Sequence, residues 1–307
     1  MIEVRGLCKR YGNIVALSDV SFDVPQGKIV GFLGANGAGK TTTLDIICGC
    51  LSADEGMVKI ADIDIVENPI KAKQVLGYLP DDPPLYTDMK VKEYIAYSAY
   101  IHKVPRSKIS YLVNEVMEKL AITDVQDRLI ANLSKGYKQR VGLAQTLVHN
   151  PSVLIMDEPT EGLDPNQIIQ IRELIKSFAG NHTIFLSSHI LSEVQQICDY
   201  IIIIHEGKIV AQGTYDELIR EVSSSNTYLL QVASGNLNEL VTKLKNMSEI
   251  KNVSIVDFES YKVEFEVSSN LNVLDTIVKM VVDDSFGIRQ LSPNAQSLEQ
   301  VFLKLTK

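Results

Sequence analysis

Through roughly the first 220 residues, short apolar runs alternate with segments whose apolar positions recur at helical spacing. KIVGFL (28–33), SVLIMD (152–157), HTIFLSS (182–188) and DYIIIIHEGKIVAQG (199–213) predict buried strands, the last a pair turning at Glu206-Gly207. TTTLDIICGCL (41–51), NQIIQIRELIKSFA (166–179) and ILSEVQQIC (190–198) predict helices between them. Strands separated by helices of this length imply an α/β fold with parallel pairing and helices on both faces. Between about 86 and 149 the strand pattern lapses. MKVKEYIAYSAYIH, KISYLVNEVMEKLA and GYKQRVGLAQTLVH predict an all-helical insert.

EVSSSN (221–226) predicts a linker. Beyond it the pattern restarts: strand TYLLQVA, helix LNELVTKLKNM, strands VSIVDF and YKVEFEV, helix NVLDTIVKMVV, a strand near FGIRQLS and a final helix, SLEQVFLKLT. The expected organisation is a domain over 1–220, a linker over 221–226 and a small α+β accessory domain over 227–307, with no chemical motif in the last.

Composition adds mainly exclusions. The 307 residues are 45% apolar and 22% charged, an ordinary globular balance, and a net charge of −8 speaks against a general nucleic-acid binder. The N-terminal MIEVRGLCKRYG has charges in place of an apolar core and does not look like a secretory signal. No run approaches the ~20 apolar residues of a membrane-spanning helix. Cys8, Cys48, Cys50 and Cys198 predict packed free thiols, because the C-x-C pair has no second pair or neighbouring histidine in the sequence.

Three segments carry chemistry. Gly34-Ala35-Asn36-Gly37-Ala38-Gly39-Lys40-Thr41 fits G-x-x-x-x-G-K-[ST] at every position, between a strand and a helix. Such a loop turns successive N–H groups toward phosphates, Lys40 reaches the β- and γ-phosphates, and the Thr41 hydroxyl ligates Mg²⁺. SVLIMDEP delivers Asp157 to a strand end, where it would hold Mg²⁺ through water, and Glu158 beside it as general base. His189, just after HTIFLSS, falls at a third strand end and is expected to donate to the γ-phosphate.

GANGAGKT, LSKGYKQR, LIMDEP, GLDP and SSH, in this order, resemble the ATP-binding subunits of ABC transporters over about residues 1–220. The C-terminal unit and its SLEQVFLKLT ending resemble the multidrug, antibiotic and gliding-motility exporter group. The resemblance implies a P-loop NTPase core with an antiparallel β subdomain and a helical subdomain over 86–149. It implies ATP and Mg²⁺ as ligands and an ATPase that drives a transporter, as an exporter. Partners would be a second, identical or different, ATPase subunit packed head to tail and membrane-spanning permease subunits, at the cytoplasmic face of the membrane and without nucleic acid.

By the same resemblance, Leu133, Ser134, Lys135, Gly136 and Tyr137 form a signature motif for the opposite subunit's ATP. Tyr11 stacks on adenine, Thr42 joins the phosphate site, and Leu163 and Asp164 couple the two halves. Asp81 stands where the family has a glutamine that reaches Mg²⁺, and Lys135 and Tyr137 replace glycine and glutamine of a stricter signature. Tyr86, Met89, Val91, Tyr94 and Tyr97 are expected on the surface that docks the membrane partner. Rival readings fit less well: translation-type relatives carry two cassettes in one chain, and repair-type relatives a long coiled coil absent from this pattern.

Overall fold

A computed structural model describes residues 1–222, 226–268, 272–293 and 302. The chain divides into two compact units, one from Met1 to Tyr215 and the other beginning at Asp216.

The first unit opens with β1 (Ile2–Tyr11) and β2 (Ile14–Val24), followed by β3 (Ile29–Leu33), α1 (Lys40–Ile47), β4 (Glu55–Ile60), β5 (Ile63–Asp64), α2 (Pro69–Gln74) and β6 (Leu76–Leu79). Three helices come next, α3 (Val91–Ile101), α4 (Arg106–Lys119) and α5 (Lys135–Leu147), and they occupy the expected helical interval. Then come β7 (Val153–Met156), α6 (Pro165–Ser177), β8 (Thr183–Ser188), α7 (Leu191–Ile197), β9 (Tyr200–His205) and β10 (Lys208–Gly213).

Six strands form one sheet in the order β10-β9-β3-β8-β7-β6, parallel except where β10 turns back along β9. That turn takes positive φ at both Glu206 and Gly207, the geometry that suits the right-handed strand twist of a tight hairpin. The runs are continuously apolar because both sheet faces are covered. Along β7, Leu154 and Met156 join the cluster of the helical insert, while Val153 and Ile155 join a second cluster with Phe22, Phe32 and Phe185. Those three rings sit 5.3–5.6 Å apart, centroid to centroid. The second cluster includes α1 and a separate antiparallel sheet, β2-β1-β4-β5. Strand β1 alternates buried and half-buried positions, so one of its faces packs inward.

The second unit is an antiparallel sheet, β12-β13-β11-β14, built from β11 (Asn226–Val232), β12 (Ile250–Asp257), β13 (Lys262–Val267) and β14 (Ile288–Pro293). With α9 (Leu237–Lys245) and α10 (Asn272–Asp283) between strands, the order is the split βαββαβ arrangement. Leu240, Leu244, Ile277 and Val281 pack with Leu230, Val263 and Phe265 in its own core.

Two expectations shift. Helix α8 (Tyr215–Val222) runs through Glu221 and Val222, and β11 begins at Asn226, so the expected linker is helix and strand at its two ends. Its three serines, and the final helix apart from Phe302, lie outside the described residues. Val91 and Tyr94 are not surface residues either. Helix α3 turns them into the core of the insert, and Met89 is half-buried against the same cluster. Tyr86 and Tyr97 do stay exposed, at 5.7 Å centroid separation, beside Tyr100 and Ile101.

Among the described residues, no helix is long and apolar enough to cross a membrane.

Candidate nucleotide site

The loop from Gly34 to Gly39 leaves the C-terminal end of the central strand β3 and feeds directly into α1, the position where open α/β sheets bind ligands. Its glycines are sterically required. A Cβ on Gly34 would lie 2.7 Å from the Ile204 carbonyl oxygen. One on Gly39, whose φ is +107°, would lie 2.9 Å from the Ala16 carbonyl oxygen. No side chain caps α1, so its first-turn N–H groups are left for an anion.

Lys40 folds back over this loop. Its Nζ donates to the Gly34 carbonyl oxygen at 2.9 Å and lies 3.2 Å from Glu158 Oε1. Glu158 stands just past the end of β7, at φ +45°. Its other carboxylate oxygen, Oε2, accepts from the His189 backbone N–H at 3.3 Å and meets His189 Nδ1 at 3.0 Å. Three strand ends, β3, β7 and β8, thus bring Lys40, Glu158 and His189 together. With Glu158 ionised, the proton of this contact is on Nδ1.

Asn36, Gly37, Gly39, Lys40, Thr41, Thr42, Asp81, Asp157 and Glu158 line one cavity of about 390 Å³. Thr41 supplies a hydroxyl, and Asp157 and Asp81 supply carboxylates, the hard oxygen donors that suit Mg²⁺. Asp157 is buried. Withdrawal from water, then the nearby Glu161 and Asp157, push the Asp81 carboxyl above the usual aspartate range, while Lys135 pulls the other way. This concentration of negative charge fits a cation. The donor set and the glycine cradle therefore fit a magnesium nucleotide.

Tyr11 lies outside that wall. It is 48% exposed, its ring faces Lys9 Nζ at 5.8 Å, and its β-partner Ile14 lines the cavity together with Val15 and Ala16.

The second motif is placed elsewhere. Ser134 caps α5, accepting from the Tyr137 N–H at 3.4 Å, and Asp164 caps α6, accepting from the Gln167 N–H at 3.0 Å. Gly136 lets the two helix starts meet, since a Cβ there would lie 2.7 Å from the Gln167 side chain. Gly136 and Tyr137 line a different cavity of about 570 Å³ with Arg140 and Gln170. Leu133 is buried and Leu163 half-buried in the core of the insert. Lys135 lies across Gly162, where a Cβ would fall 2.2 Å from its Nζ.

Sequence reasoning missed several residues. Glu161 joins Glu158 and His189, with ligating atoms mutually within 4.8 Å; its place three residues past Glu158 is the one signal for it. Gln139 Nε2 donates to the Pro159 carbonyl oxygen at 3.0 Å, and Glu193 accepts from Thr160 Oγ1 at 2.5 Å and pairs with Arg172 at 3.3 Å. The structure also places His102 and His149, stacked 3.7 Å apart, in a cavity with Cys48 and Cys50. These four do not converge as ligands: among the described residues, the trio of histidine, cysteine or carboxylate ligands that does converge is Glu158, Glu161 and His189.

Comparisons with known proteins give the family. The family model described as "ABC transporter" matches residues 17–161. The bacitracin transport ATP-binding protein BcrA of Bacillus licheniformis is 32% identical over 99% of this chain and 97% of its own length. The linearmycin resistance ATP-binding protein LnrL of Bacillus subtilis is 28% identical over 100% and 98%. Among solved structures, one described as the ATP-binding subunit of an ABC transporter aligns with a TM-score of 0.67 and 28% identity, covering 80% of this chain and 100% of its own. With relatives matching from end to end and a phosphate loop facing an acidic strand end, this chain belongs to the ABC transporter family, as one of its ATP-binding subunits.

Proposed function

We propose that this chain hydrolyses ATP and that the cycle drives export through separate membrane-spanning subunits. The observation that carries the ATPase reading is the position of Glu158, held between Lys40 and His189 beside the phosphate loop. In this reading, the loop N–H groups and Lys40 bind the phosphates of ATP, with Lys40 exchanging its contact with Glu158 for one with phosphate. Thr41, Asp157 and Asp81 would hold Mg²⁺, which would neutralise charge at the phosphates. Glu158, once released by Lys40, accepts the proton of the attacking water. His189 orients Glu158 through Nδ1; to donate to phosphate as well, it carries a second proton on Nε2.

The cycle further involves head-to-tail pairing with an identical or different ATPase subunit. Ser134, Lys135, Gly136 and Tyr137 then face the partner's nucleotide, and Leu163 and Asp164 couple the halves. Support comes from the exposed cap of α5 and from Gly136 and Tyr137, which line a cavity other than the phosphate cavity. Tyr86 and Tyr97 stand on the face assigned to the permease, at the cytoplasmic side of the membrane. Export, and an antibiotic-like cargo, are supported by the bacitracin and linearmycin relatives.

Glu158→Gln tests the reading. The variant is expected to bind ATP with near-native affinity, lose at least about 100-fold in turnover and accumulate an ATP-dependent dimer. Normal turnover would refute Glu158 as the base.

A further inference from the structure

We propose that Ser187 is a positioning residue that sets Asp157 and Glu158 for metal and water together, an assignment that rests on the ATPase reading above. Ser187 lies in β8, and its side chain is fully buried. Its hydroxyl donates to Asp157 Oδ1 at 2.5 Å and accepts from the Glu158 backbone N–H at 2.9 Å. One hydroxyl thus holds the side chain of the metal-site acid and the backbone of the base.

The contact falls where the sheet lets go. The parallel β7–β8 register ends at the Met156–Leu186 pair. Beyond it, Asp157 N–H still reaches the Leu79 carbonyl oxygen on the other side at 2.8 Å. Glu158 then turns into the left-handed region at φ +45°, a conformation that L side chains adopt only when their surroundings hold them there. Ser187 Oγ takes the N–H that this turn leaves without a ladder partner. A hydroxyl has one proton to give, and donating it to Asp157 aims its lone pairs elsewhere, one of them at Glu158 N–H. The same bond fixes which Asp157 oxygen is engaged from inside the protein, as outer partners do for metal ligands.

Ser187→Ala removes both bonds and no other polar contact. With a non-hydrolysable ATP analogue bound, Mn²⁺ affinity of the variant, read by electron paramagnetic resonance, is expected to fall about 10–100-fold. The Mg²⁺ concentration for half-maximal hydrolysis is expected to rise in parallel. Nucleotide binding in EDTA stays unchanged, and Ser187→Thr recovers metal affinity. A lowered Tm with native Mn²⁺ affinity and native Mg²⁺ dependence would reduce Ser187 to a packing residue and overturn the proposal. An inactive Glu158→Gln in that same set would leave the ATPase reading standing. A fully active Glu158→Gln would remove the reading and the proposal together.

Discussion

Lys40 Nζ sits 3.2 Å from Glu158 Oε1, with side chains only 6% and 10% exposed. Lys40 of the phosphate loop and the candidate base therefore form an ion pair with each other. In the proposed cycle, phosphate displaces that buried carboxylate, which links binding of ATP to release of the base.

Lys40→Ala is accordingly expected to act twice. Loss of charge-assisted hydrogen bonds, about 1.5–3 kcal/mol, lowers ATP affinity roughly 10–150-fold. Glu158 is left with one partner in a site withdrawn from water, and breaking such a pair costs about 3 kcal/mol. The Tm without ligand should then drop by several degrees. Nucleotide titration and thermal unfolding check both; an unchanged Tm would mean that the pair contributes nothing to the fold.

Gly39 and Gly37 separate strain from collision. Both have positive φ, +107° and +80°, but a Cβ on Gly39 meets Leu17 Cδ2 at 2.8 Å, while one on Gly37 meets nothing within 4 Å. Gly39→Ala is expected to cost about 2–4 kcal/mol and to weaken nucleotide binding, against about 1–2 kcal/mol for Gly37→Ala. Urea unfolding of the two variants side by side gives the difference, and equal losses would contradict the close approach of Ala16 and Leu17 to the loop.

His149 is expected to make the protein acid-sensitive. Burial, and then the stacked His102, push its pKa down to about 4 from an ordinary 6.5, against a hydrogen bond to the Leu76 carbonyl oxygen. A depressed histidine leaves the unfolded chain binding more protons below pH 6.5. Stability is therefore intact at neutral pH and lost as pH falls from 6.5 toward 4, by roughly 3 kcal/mol at most. His149→Gln should flatten that loss. Denaturant unfolding at pH 7 and pH 5 decides, since equal slopes in both proteins would absolve His149.

Much of this was legible in the chain. The phosphate loop was legible from local rules: glycines at fixed spacing between a strand and a helix mark the turn, although Ile204 and Ala16, which crowd Gly34 and Gly39, come from elsewhere in the chain. Two-sided burial of VLIM was equally visible, as was the α+β alternation of the second unit, though not its split strand order. The surface was harder. Val91 and Tyr94 share a helix with Tyr97 and Tyr100, and helical spacing alone does not say which stripe faces the insert's core.

The sequence by itself determined the loop, the acids at the strand end and the family, because each depends on neighbours along the chain. Only tertiary structure decided which distant groups meet. Glu158 gains Lys40 and His189 because β3, β7 and β8 end side by side. Ser187 reaches Asp157 and Glu158 because β8 lies in register with β7. Strand order and register are set by burial summed over the whole sheet, and no local pattern carries that sum.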